Sequence, residues 1–165
     1  MRPYGVRWRT VSSSLMLIWL LLSLTVKAPQ VSEAKIPECS VEIVSPKAGA
    51  KVRRDSLVSG SAKIPTNGYL WVLAHKKGVK QWWPQGGGEV EIQDGKWDVL
   101  VKFGKEGAQE VGVFEIAAVV VDKQTNEDLK RWVEDAPKNG YLPTSFPNAF
   151  QGCPIVRLSV DKVGD

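Results

Sequence analysis

The residues with the most chemistry to offer lie between positions 75 and 91. His75, the single histidine, is followed by Lys76, Lys77 and Lys80, the adjacent pair Trp82–Trp83, Gln85, the run Gly86-Gly87-Gly88, and then Glu89 and Glu91. A flat apolar ring with amide and ammonium donors beside it is what recognition of a sugar or of another protein needs. The lysines add attraction for anionic partners such as acidic glycans. Neighbouring residues of a strand point to opposite faces, so the two indoles cannot both be core residues of one sheet face. At least one lies at the surface or under a loop. The candidate binding set is Trp82 and Trp83, with Tyr69, Lys77 and Gln85 as helpers. The plainer alternative has one tryptophan packed into the core edge and the other covering the loop.

Catalytic patterns are missing. A single histidine cannot build a histidine-rich metal site, and no H-E-x-x-H occurs. There is no G-x-S-x-G elbow, and the triple glycine lacks the Lys-Ser/Thr of a phosphate loop. His75 is expected at a strand end in contact with water. Glu89 and Glu91 could serve glycoside hydrolysis only at a fixed separation across a bond, and at i, i+2 they read as one solvated strand face. Asp122, Asn126, Glu127 and Asp128 offer four oxygen ligands to Ca²⁺. Their spacing is not that of an EF-hand loop and the loop glycine is absent, whereas a capped helix start explains the same residues. The reading is of a protein that is not an enzyme, with no cofactor and no metal. A hydrolase whose acids the sequence does not pair is the minor alternative.

Export is written at the start. Arg2, Arg7 and Arg9 precede an apolar run from Leu15 that continues to Val26, and Ser32-Glu33-Ala34 supplies a small-x-small cleavage pattern. The apolar centre is about 12 residues, short of the roughly 20 that span a bilayer as a helix. Residues 1–34 are therefore read as a signal peptide, and 35–165 as a single periplasmic or extracellular domain with no stable membrane span. The leader holds four of the 22 basic residues and one of the 18 acidic ones, so the remainder is close to neutral. No basic field argues for nucleic acid. The two cysteines, Cys39 and Cys153, form an even pair in an exported chain and read as a disulfide.

The body reads as short strands. Val41 and Ile43 alternate before Ser45-Pro46, and Val58, Gly60, Ala62 and Ile64 keep period two. Tyr69–Ala74 is apolar on both faces and must be covered on both sides. Val90 and Ile92 lead into Asp94-Gly95, a two-residue hairpin signal. Trp97, Val99, Val101 and Phe103 alternate, Phe114–Val121 is a second apolar strand, and Val156, Leu158 and Val160 alternate in the last. One helix interrupts. Thr125 or Asn126 caps it, Glu127 and Asp128 fall in its first turn, Leu129, Trp132 and Val133 form its apolar stripe, and Pro137 and Gly140 end it. It is expected to cover a sheet edge or one end of the core. Tyr141–Gly152, with Pro143 and Pro147, reads as a long loop.

About seven short strands with turn signals between them predict a mainly all-β protein, an antiparallel β-sandwich with one short helix before the last strand. Ile43-Val44-Ser45-Pro46-Lys47-Ala48-Gly49, Leu57-Val58-Ser59-Gly60-Ser61-Ala62 and Asp94-Gly95-Lys96-Trp97 resemble the opening strand, second strand and later hairpin of bacterial immunoglobulin-like domains, over about residues 41–121. The resemblance implies a bacterial, exported recognition domain. It also implies a first and a last strand lying side by side in parallel, with Cys39 and Cys153 at the same end. Two partners fit such a domain: cell-envelope glycan at the Trp82–Trp83 loop, or an envelope protein at the Tyr141–Gly152 loop, with Tyr141, Phe146 and Phe150, or at an open sheet edge.

Overall fold

Alternation of apolar and polar residues sets most of the strands in the computed structural model, which describes residues 38–105 and 110–164. The leader read over residues 1–34 lies outside them. In chain order the elements are β1 (Ser40–Ser45), β2 (Lys51–Val52), β3 (Asp55–Lys63), β4 (Tyr69–Lys76), β5 (Trp83–Pro84), β6 (Lys96–Lys102), β7 (Gly112–Val121), α1 (Lys123–Asn139) and β8 (Val156–Lys162). They form a three-stranded sheet, β1-β3-β6, and a five-stranded sheet, β2-β8-β7-β4-β5. All pairings are antiparallel except β2 with β8. The fold is the expected all-β sandwich with one helix before the last strand. The two strands without a sequence signal, β2 and β5, are two residues each, too short to show a period.

Between the sheets lies the main core. Val58, Val99, Val101 and Phe103 from one side meet Leu70, Val72, Phe114, Ile116, Ala118, Val120 and Val160 from the other. Trp97 stands opposite Gly60 in the β3–β6 register, and its indole lies where a Cβ on Gly60 would be, as does the Glu42 carbonyl. Glycine at 60 is thus a packing requirement. The Asp94-Gly95 signal is borne out: both residues have positive φ, 51° and 73°, and Gln93 and Lys96 exchange backbone hydrogen bonds. Val90 and Ile92 do not form the expected strand before it. The Val90 amide donates to Leu70 O at 2.8 Å, on the other sheet, so this segment crosses between the sheets and does not pair along β6.

A third layer covers the outer face of the five-stranded sheet. Strands β4 and β7 are apolar on both faces. The outward residues Trp71, Leu73, Ala117, Val119 and Val121 form a second core with Leu129 of α1, against which Val133, Phe146 and Ala149 pack. Burying one such leucine stabilises by about 1.5–3 kcal/mol relative to exposure. The helix therefore covers a sheet face, not an edge or an end of the core. It also begins earlier than its capping residues suggested. Asp122 is the N-cap, its carboxylate accepting from the Thr125 amide at 2.8 Å, so Glu127 and Asp128 sit beyond the first turn. Pro137 lies inside the last turn, where only one backbone bond is lost, and Gly140, at φ 74°, closes the helix by donating to Ala136 O.

Cys39 and Cys153 are disulfide-bonded. The geometry differs from the expected neighbouring first and last strands. β1 pairs antiparallel with β3, and the parallel neighbour of β8 is β2. The bridge therefore ties the entry of the three-stranded sheet to the segment leading into β8 of the five-stranded one. Across a separation of 114 residues, loop-closure entropy makes the bridge worth roughly 4–5 kcal/mol. Denaturant unfolding of Cys39→Ser/Cys153→Ser is expected to show a loss of about that size, and a loss under about 1 kcal/mol would refute the entropic account.

Candidate interaction site

Strand β4 carries Tyr69, Trp71, Leu73 and His75 along one face, the outer face of the five-stranded sheet. Packing against α1 places a buried asparagine in the middle of this row. Asn126 is fully buried, its Oδ1 accepting from Trp71 Nε1 at 2.8 Å and its Nδ2 donating to Glu89 Oε2 at 2.8 Å. Lys130 adds an ion pair to Glu89 at 3.2 Å and stands 5.9 Å over the Tyr69 ring. Asn126 is therefore neither the cap nor a calcium ligand. It is the polar link between β4, the 85–95 segment and α1, because an indole N–H buried under a helix needs an acceptor.

At the other end of the row, His75 stacks on Trp82 with ring centroids 3.7 Å apart. Its Nδ1 lies 2.6 Å from Val79 O and its Nε2 3.7 Å from Glu115 Oε1. Arg157 reaches over from β8 to donate to Glu115 at 3.3 Å, and its guanidinium lies 5.2 Å from the Trp82 ring and 4.6 Å from Phe146. Phe146 meets Trp82 edge-on at 5.0 Å. The Trp82 backbone exchanges two 2.9 Å hydrogen bonds with Thr144, so the 141–146 segment covers the edge of the sheet beyond β5. Trp82 is 4% exposed. The expectation of a water-contacting His75 is corrected: its side chain is only 11% exposed, because the loop folds the neighbouring indole over it.

Trp83 behaves differently. It is half-buried, and its Nε1 donates to Tyr141 O at 2.9 Å. From α1, Trp132 Nε1 donates to the next carbonyl, Leu142 O, also at 2.9 Å. Two indoles thus grip consecutive peptide groups just past the helix. The Tyr141 amide donates to Ala136 O at 2.8 Å and its φ is +57°, a left-handed conformation that costs a non-glycine residue energy. So held, Tyr141 and Leu142 are 58% and 60% exposed. Trp132 was legible only as part of an apolar helix stripe. Its role as a clamp has no signal in spacing, because its partner is a backbone carbonyl.

The candidate binding residues are not gathered in one place. Tyr69 and Trp82 lie at opposite ends of the covered face. Lys77 is exposed, its amide donating to Val113 O. Gln85 is buried and is a structural link, a correction to its helper role: its Oε1 accepts from the Lys102 amide at 2.8 Å and its Nε2 donates to Trp83 O at 3.0 Å, joining the two sheets. Among the described residues no group of three or more His, Cys, Asp or Glu is placed to hold a metal ion. No protein-family model and no curated protein matches this chain.

Two outcomes follow from the helix contacts. Asn126→Ala orphans the buried Trp71 indole N–H and is expected to cost about 2–3 kcal/mol in denaturant unfolding. The Thr125 backbone amide, bonding the Asp122 carboxylate, holds its pKa below the usual aspartate range. A lowered folded-state pKa stabilises above the unfolded value, about 4, and that stabilisation is lost as pH falls through the folded one. The melting-temperature gap between the parent and Asp122→Ala should be constant from neutral pH down to about 4 and shrink below it; a gap that widens on acidification would contradict the cap.

Proposed function

We propose that this chain is an exported, non-enzymatic, immunoglobulin-like accessory domain that binds a partner protein of the bacterial cell envelope through the Tyr141–Leu142 tip. The observation that carries the reading is the double indole clamp. Trp83 and Trp132 fix the Tyr141 and Leu142 carbonyls, and with them two large side chains that remain exposed. Holding apolar groups out in one conformation reduces the ordering cost of binding, and Tyr is one of the residues enriched at binding hot spots. The strand order, with its opening segment divided between β1 in one sheet and β2 in the other, supports the immunoglobulin-like assignment. The disulfide supports an oxidising compartment, and no helix among the described residues is long and apolar enough to cross a membrane.

The glycan alternative keeps one observation, the half-exposed Trp83. Trp82 contributes no open ring face to it, being covered by His75, Arg157 and Phe146. Both readings meet in one experiment. The mature exported protein is crosslinked to solubilised envelope proteins and, separately, sedimented with peptidoglycan. Tyr141→Ser/Leu142→Ser should lose a specific crosslinked partner while keeping the parent melting temperature, with neither form retained by peptidoglycan. Retention that survives this substitution and is lost in Trp83→Ala would replace the protein reading with the glycan one.

A further inference from the structure

The two faces of this sandwich are treated unequally. The outer face of the five-stranded sheet is covered by α1 and the loop after it. Across the outer face of the three-stranded sheet runs an apolar stripe. Leu57 on β3 and Leu100 on β6 are register partners, 59% and 50% exposed, and Val44, at the β1 bulge opposite Ser59 and Gly60, is also exposed. In an alternating strand such outward leucines have no local reason to be there.

The charges around the stripe say what covers it. Asp55 pairs with Arg54 and Lys63 with Glu38, so both are neutralised within the chain. Asp98 and Lys102 are exposed and make no ion pair among the described residues. They lie two positions to either side of Leu100 on the same face, each about 6.6 Å along the strand. A two-fold axis lying along the stripe lays a second copy face to face with strands reversed. Leu57 and Leu100 then meet their own counterparts, Asp98 faces Lys102 of the other copy, and Lys102 faces its Asp98. The Asp98–Lys102 arrangement about the Leu57–Leu100 pair is self-complementary in charge, as an isologous contact requires.

We propose that the outer face of the β1-β3-β6 sheet is a homodimer interface centred on Leu57 and Leu100 and keyed by reciprocal Asp98–Lys102 pairs. Three strands about 4.8 Å apart offer less than the roughly 800 Å² per partner of a stable complex. The dimer is therefore weak and concentration-dependent. Its face carries neither Tyr141 nor Leu142, so it is independent of the proposed protein-binding tip.

Charge reversal tests the symmetry itself. The mature exported protein is followed by sedimentation velocity over a series rising to about 1 mM, the upper end of weak association. The parent should shift from monomer to dimer. Asp98→Lys and Lys102→Asp should each weaken self-association about tenfold or more, because every pair becomes like-charged. An equimolar mixture of the two should dimerise again, since each pair across it is then opposite in sign, and this recovery also shows both variants folded. Tyr141→Ser/Leu142→Ser should dimerise like the parent. A parent that stays monomeric throughout, a dimer indifferent to either reversal, or a mixture that stays monomeric would each overturn the proposal.

Discussion

Strands β4 and β7 are apolar on both faces, and that constraint governs the rest of the molecule. A sandwich buries only one face of each sheet. The second faces of β4 and β7 present Trp71, Leu73, Val119 and Val121, which must be removed from water by something other than the opposite sheet. The 34 residues between β7 and β8 supply it as an amphipathic helix and a proline-bearing return segment. The helix docks through Leu129 and is keyed by the buried Asn126, which joins the Trp71 indole to Glu89. An apolar contact would tolerate sliding of the helix over the sheet. The paired hydrogen bonds do not, because moving the helix strands an indole N–H.

From this one requirement follows the geometry of the exposed tip. Because α1 lies across the outer face, its second half brings Trp132 to the chain that leaves the helix, while β5 brings Trp83 from the sheet edge. The return segment is held on three sides: by the two indoles, by the Trp82–Thr144 bridge and by the Phe146–Arg157–Trp82 packing. Residues that cover a hydrophobic face thereby also present two others to solvent in a fixed conformation. Among the described residues the three-stranded sheet has no such third layer, and its Leu57–Leu100 pair is exposed.

The candidate site was partly legible. The aromatic and charged residues of the 75–91 segment and the aromatic residues of the Tyr141–Gly152 loop mark both in the sequence, and the two meet through Trp82 with Thr144 and Trp83 with Tyr141. What could not be read was which indole would be covered. Trp82 and Trp83 are equivalent in spacing and composition, and only the loop lying over one of them distinguishes the two. Gln85 looked like a ligand-binding amide because its bonds go to backbone atoms of Trp83 and Lys102, which leave no pattern in side-chain identity. The helix start was misplaced by a few residues for a similar reason: Asp122, Thr125 and Asn126 are all competent caps, and the need to bury Asn126 against Trp71 decided among them.

The sequence by itself determined the strands with strong alternation, the Asp94-Gly95 hairpin, the presence of the helix and the double-sided burial of β4 and β7. These depend on local period and turn chemistry, which are properties of neighbouring residues. It also supplied the cysteine pair, though not its place between the two sheets. Only the tertiary structure decided that β1 and β2 belong to different sheets, that the helix covers a face and not an edge, and that two distant tryptophans converge on adjacent carbonyls. Those outcomes rest on contacts between residues far apart in the chain, such as Lys51 with Asp161 and Trp83 with Tyr141. They are set by which surfaces remain to be buried once the strands have paired, and no window of sequence contains that information.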